Sequence, residues 1–321
     1  MELIRPKIEL YRTRTFSDKI SDTFGFIRET WRPLLRYFIY FMLPVSIFMG
    51  FFTDHFFSGY MAMIEGMMDN RTGENSILSF ALMSVGTGIL NCVGMVLLTG
   101  LTYALMRLYM VRDDRLDGLA ATDLRPELMH CIGRSVRLIL ASLVIDLLSG
   151  LLFALFFFAL FPMGRVVVVL GAVLLFVLFF VLIVPLMLTM PVYMMEDGIG
   201  IIEALQKAWR LGFATWGGII AVTLVLGLIG MTLQTVTLTP WYVMSLFKTL
   251  FTLRGEGGGF VASAGYSFLQ YLSCVWMCLG YMLVYVLGIV GITIQYGHAS
   301  DKVDGTGVAR QIEHFDELDS F

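Results

Sequence analysis

Charge is what this sequence is shortest of. Asp, Glu, Lys and Arg make up 15% of the 321 residues and AVILMFWYC residues 58%, where an ordinary globular domain carries about 25% and 45–50%. That leaves too little polar material to coat a water-facing surface, which excludes a soluble fold and points to a bilayer. Cysteine is scarce too. Four in the chain, none in a CxxC pair, exclude a disulfide framework and a zinc site. Cys274 and Cys278 share a helix face with no histidine or carboxylate beside them, and read as small core residues. There is no HExxH, no GxSxG, no pair of glutamates and no histidine at membrane depth, so no catalytic set is present and the protein is expected not to be an enzyme. The glycine turn at 255–259 lacks the Lys and Ser/Thr that complete a phosphate-binding loop. Nothing resembles a nucleic-acid footprint, and nothing calls for a cofactor.

What the chain does have is a repeated unit. In IGIIEALQKAWRLGFATWGG (199–218), Ile202, Leu205, Trp209, Phe213 and Trp216 recur at three- and four-residue steps, with Glu203, Gln206, Lys207 and Arg210 opposite them. This is the pattern of a helix lying flat on a membrane, with Glu203 and Lys207 spaced as an i,i+4 ion pair. It leads into residues 219–238, which are nearly uncharged and long enough to cross a bilayer core. Residues 1–33 repeat the design: Phe16, Ile20, Phe24, Ile27 and Trp31 recur at helical spacing among seven basic residues that include Arg28 and Arg32. Thr15 and Asp18 form a capping box at the start, and Pro33 is expected to end this surface helix.

The fold predicted is all-α: a polytopic membrane helix bundle of six transmembrane helices with amphipathic juxtamembrane helices. The spans fall at about 34–57, 77–106, 138–161, 166–195, 219–238 and 268–296, making 34–296 the transmembrane domain and 297–321 a polar tail. Glycines 86, 88, 94 and 100 of the second span suit close helix contact, and glycines 280, 288 and 291 mark the sixth as inward-facing. Two shorter surface helices are expected, at 126–137 and 240–253, and a docking helix through Val308, Ile312 and Phe315. Pro185 and Pro191 should bend the fourth span, and the short turn at 163–165 makes the third and fourth antiparallel neighbours. Asn70 opens a glycosylation sequon. Met61, Met63, Met67 and Met68 near His55 carry soft donors of the kind Cu(I) takes, but a chain with 21 methionines gathers such clusters without a metal.

Asp146 is the most informative single residue. It lies about nine residues past Arg137, hence about 13 Å along a helix and close to mid-bilayer. A charge there costs at least about 2.5–3.5 kcal/mol, which argues for an inward-facing polar site with Ser142 and Ser149 on the same face. Neutral partners for it are Asn91, Thr223, Tyr281 or Tyr285. One use of such a site is proton or cation transport; the other is a hydrogen-bonded acid that fixes helix register.

With six spans, 18 of the 22 basic residues fall on one side. The positive-inside rule makes that side cytoplasmic and places both termini there. Segments of the form EALQKAWRLGFATWGG leading into a span, with six helices and no soluble domain, resemble the bacterial membrane domain attached to some glycerophosphodiester phosphodiesterases and its stand-alone relatives. That resemblance implies a multi-pass protein of the bacterial plasma membrane. It carries over no catalytic residue, because the hydrolase's metal ligands would sit in a soluble barrel that this chain does not contain. The function expected is non-enzymatic and accessory or membrane-organising. Residues Arg28, Trp31, Arg32, Lys207, Trp209, Arg210 and Trp216 of the surface helices would engage anionic membrane lipids or a cytosolic or membrane protein partner. The alternative is a small transporter or exporter using Asp146; homo-oligomerisation is left open.

Overall fold

A computed structural model describes residues 7–68, 74–112, 114–253, 259, 261, 263–307 and 309. The chain is all-α, with no strand among the described residues. Its helices are α1 (Phe16–Met68), α2 (Glu74–Val111), α3 (Ala121–Leu160), α4 (Arg165–Leu186), α5 (Thr189–Met195), α6 (Ile201–Ala214), α7 (Trp216–Leu253) and α8 (Ala264–Asp304). Six of the helical stretches are long and apolar enough to cross a membrane, as a multi-pass membrane protein requires. The sequon at Asn70, the side chains of Met61, Met67 and Met68, most of the glycine turn and the helix expected around Val308, Ile312 and Phe315 lie outside the described residues.

The helices run further than hydropathy implied. Pro33 does not end a surface helix but lies inside α1, as does Pro44. The surface helix expected at 126–137 continues without a break into the third span as α3, and the one at 240–253 is the end of α7. Proline removes one intrahelical bond, but flanking residues of high helical content carry the helix through. In the fourth span the prolines do break it: after Pro185 the chain makes a turn at Met187 and Leu188 before α5. The tight connection between α3 and α4 is a 3-10 turn, Phe161–Met163, closed by Gly164 at φ 96°, a conformation that favours glycine. The predicted N-terminal cap forms as well: Thr15 Oγ1 donates to Asp18 Oδ2 at 2.7 Å and the Asp18 amide donates back at 3.3 Å.

Contacts divide the chain into two compact units, a division different from the tail–span–tail scheme. The first contains residues 1–31, 102–226 and 288–321; the second 32–101 and 227–287. In the second unit small residues let helices approach. A Cβ on Gly50 would lie 3.0 Å from the Val275 backbone nitrogen, and one on Gly280 2.4 Å from Thr237. Cys274 and Cys278 are buried core residues, as their helix face implied. Cys274 Sγ donates to Asp54 Oδ1 at 3.8 Å, a contact for a carboxylate inside the first predicted span that the sequence reading passed over. In the first unit, Gly212 of α6 sits where a Cβ would be 2.5 Å from Pro185 Cα, so α6 packs against the end of α4. Phe153 and Phe179 meet edge to face at 5.7 Å between α3 and α4.

Candidate functional site

The first unit gathers most of the chain's charged side chains, and the helix ends around the α5–α6 turn decide how they pair. Arg134, on α3, is buried beneath that turn. It donates to the carbonyls of Tyr193 and Glu196, reaches Asp197 Oδ1 at 3.5 Å and stacks on the Tyr193 ring at 4.4 Å. Arg107, near the end of α2, donates to Asp197 Oδ2 at 2.7 Å and the Met194 carbonyl at 3.1 Å, and pairs with Glu127. Orphan carbonyls at the end of α5 thus receive guanidinium donors, the charge a helix C-terminus favours. The hydrogen bond from Arg107 holds the Asp197 carboxyl below the ordinary carboxylate range, against an opposing push from partial burial.

Glu196 anchors a second set. Its Oε1 accepts from Lys207 at 2.7 Å and from the Tyr296 hydroxyl; Tyr11 lies 3.3 Å from that hydroxyl. Asp304 pairs with Arg210 at 2.8 Å and sits 3.8 Å from Lys207. The predicted Glu203–Lys207 pair gives way to these. Glu203 accepts the Gly200 amide at 3.1 Å, capping α6, and Lys207 turns to Glu196. A cap three residues back and a partner presented by another helix both outcompete an exposed i,i+4 pair of about 0.2–0.5 kcal/mol.

On α6 the buried side is built of small residues, Ala204, Ala208 and Gly212, with Leu211, while Ile202, Trp209 and Phe213 are exposed. Trp31, Arg28 and Arg32 are exposed on α1. Trp216 is half-buried against Phe180 at 6.4 Å. Arg28 has no ion-pair partner among the described residues, unlike Lys207 and Arg210.

The inward polar site expected around Asp146 is not what the structure builds. Asp146 is exposed, as are all residues 142–148, and its carboxylate has no partner among the described residues. Ser142 and Ser149 donate to the carbonyls of Ile139 and Asp146, within their own helix. Such back-bonding satisfies a hydroxyl without any neighbour. Thr223 Oγ1 is buried without a partner, and Asn91, Tyr281 and Tyr285 belong to the second unit. Around Asp146, α3 exposes Leu143, Val144, Leu147 and Leu151, so this stretch is outside the core that the described residues form.

Glu127, His130 and Cys131 bring three potential ligand atoms within 4.8 Å of one another. They come from one turn of α3, and Glu127 is committed to Arg107, so the cluster is explained as packing. The feature that sequence reasoning missed is Lys19. Among the described residues three cationic side chains are buried: Arg14, Lys19 and Arg134. Arg14 pairs with Asp22 at 2.6 Å and donates to the Leu10 and Arg12 carbonyls. Lys19 has no partner among the described residues. Its place in the run of N-terminal cations gave no signal of this, because burial depends on which helices meet there. No family model matches the chain, and no curated protein or solved structure matches it.

Proposed function

We propose that this is a non-enzymatic accessory protein of the bacterial plasma membrane, with both termini cytoplasmic, that engages anionic lipid or a protein partner through the segments 16–33 and 199–218. The observation that carries the reading is α6: Ile202, Trp209 and Phe213 stand exposed on a helix whose other side is packed into the protein. Aromatic side chains of this kind favour the headgroup region, where an apolar ring and a polar edge are both accommodated. Lys207 and Arg210 are held by Glu196 and Asp304, so the lipid-attracting charge falls on the unpaired Arg28, at about 1 kcal/mol for a basic residue near the surface. The resemblance to membrane domains of glycerophosphodiester phosphodiesterases fits the same reading. No observation favours transport through Asp146.

The test uses full-length protein in which Trp31, Trp216, Trp241 and Trp276 are replaced by Phe, leaving Trp209 as the single tryptophan. In vesicles of lipids brominated near the headgroup, Trp209 fluorescence should be quenched more than by bromines at the chain ends, and little by aqueous iodide. Full quenching by iodide with none by bromolipid would place α6 in water and end this reading. A reporter active only outside the cytoplasm should be silent when fused after Ser320.

A further inference from the structure

We propose that the cavity at the start of α7 binds a phosphate group, either as free anion or on a lipid headgroup. Thr215 alone separates α6 from α7, so α7 opens with Trp216, Gly217 and Gly218 directly after α6 ends. Thr215 O accepts the Gly218 and Ile219 amides, while those of Trp216 and Gly217 find no acceptor among the described residues. The first-turn amides of a 38-residue helix favour an anion by their partial positive charge and their free donors. Beside them lies an open cavity of about 410 Å³, lined among others by Lys19, Lys302 and His298.

Two polar side chains meet at this end of α7. Lys19 is 5% exposed and lines the cavity, yet its ammonium has no partner among the described residues. Its ammonium opens on the cavity, and partial desolvation makes an anion there a favourable neighbour. Gln295 is fully buried, and both polar atoms of its amide lack a hydrogen-bond partner among the described residues. The two side chains converge on the space left by the missing side chain of Gly218. A Cβ there would lie 3.0 Å from Gln295 Nε2 and 3.4 Å from Lys19 Nζ.

The surrounding acids are already engaged. Asp22 pairs with Arg14, Asp304 with Arg210, and Asp301 accepts the Gly307 amide at 2.9 Å. No carboxylate lines the cavity. His298 Nδ1 accepts the Arg14 amide at 2.9 Å, which leaves Nε2–H as the ring's donor. An ammonium, a second lysine, an imidazole N–H and helix-start amides form a donor set for an anion with several oxygens, with the buried Gln295 amide behind Gly218. A phosphoryl group meets that description better than a single carboxylate. Phe213 and Trp216 add an apolar wall, suited to the glycerol and first methylenes of a lipid. The lipid form of the proposal rests on the membrane-surface reading above; the free-anion form does not.

The experiment titrates detergent-solubilised full-length protein with short-chain phosphatidylglycerol, inorganic phosphate and a short-chain diacylglycerol that lacks phosphate, counting bound ligand by native mass spectrometry. Phosphatidylglycerol or phosphate should bind one to one, and diacylglycerol should not. Lys19→Met and Gly218→Val should each weaken binding about tenfold or more, the second without changing charge. Lys302→Met, at an exposed position, should weaken it with the fold intact, and Arg165→Gln, outside the cavity and outside the surface segments, should leave it unchanged. Competition by inorganic phosphate assigns the site to the free anion; phosphatidylglycerol binding that phosphate cannot displace assigns it to lipid. Absence of binding by either, or binding unaltered in both folded Lys302→Met protein and Lys19→Met or Gly218→Val, overturns the proposal. Bromolipid quenching of Trp209 reads the membrane-surface model separately, so either can fail alone.

Discussion

The most apolar helices of this protein are the least buried. The window of highest hydropathy in the fourth span, mean 3.5, has none of its residues buried, and that in the third span, mean 2.5, also has none. The last span, α8, has mean hydropathy 2.2 and 56% of its window buried. In water the order would run the other way. In a membrane, burying leucine against leucine adds little, so burial follows from which helices meet rather than from hydropathy, and small and polar residues let them pack closely or hydrogen-bond. On α8, Cys274, Cys278, Thr293, Gln295 and Ser300 are buried together with large apolar residues such as Met282, Leu287, Val290 and Ile294, while α3 and α4 expose Leu147, Phe158, Val166 and Leu174. Hydropathy alone would have made α4 the core.

Mutations can sharpen or break this contrast. The largest loss is expected from Arg134→Met, which leaves the carbonyls of Tyr193 and Glu196 without their donor while Asp197 keeps Arg107. About 1–3 kcal/mol is the scale for each polar group left unsatisfied, and thermal unfolding in detergent reads the sum. Asp146→Leu should act in the opposite sense, making insertion of α3 more favourable by about 2.5–3.5 kcal/mol in a translocon assay, with thermal stability retained. A fall in stability would mean that Asp146 has a partner and that the exposed face of α3 is covered. Gly280→Leu, placed against Thr237, should cost about 1–3 kcal/mol by overpacking. Gly150→Leu, with nothing within 4 Å of its Cβ, should stay within about 0.5 kcal/mol; equal losses at both positions would dissolve the distinction between packed and lipid-facing helices.

The smallest effect is a pH dependence at the α5–α6 turn. Because Arg107 depresses the folded-state pKa of Asp197, this group's contribution is present above the ordinary carboxylate pKa and disappears as pH falls through the depressed value. Asp197 is largely exposed, so the contribution is small. Comparing the acid limb of unfolding for Asp197→Asn and the parent should show a shallower slope in the variant; identical slopes would remove Arg107 as the cause.

Local order was readable from the chain. The Thr15–Asp18 cap, the reversal at Gly164 and the break after Pro185 each depend on residues within a few positions of one another, whose geometry is set by backbone sterics and short hydrogen bonds. Helix ends were read too early, at 33 and 137 for instance, because hydropathy marks where a bilayer stops and the helical hydrogen bonds continue past it. The charged site was legible in composition but not in pairing. Lys207 was assigned to Glu203, four residues away, when Glu196 and Asp304 compete for it. Lys19 was one cation among many.

The sequence by itself determined that the protein is all-α and multi-pass, since a shortage of charge and long apolar runs leave the backbone no other way to satisfy its hydrogen bonds in lipid. Only the tertiary structure decided which charges are neutralised and which helix faces stay open. Arg134 under the α5–α6 turn, Lys19 buried beside the start of α7 and Asp146 on an exposed face follow from which helices lie side by side, and electrostatic energy depends on distance and burial in space rather than on separation along the chain.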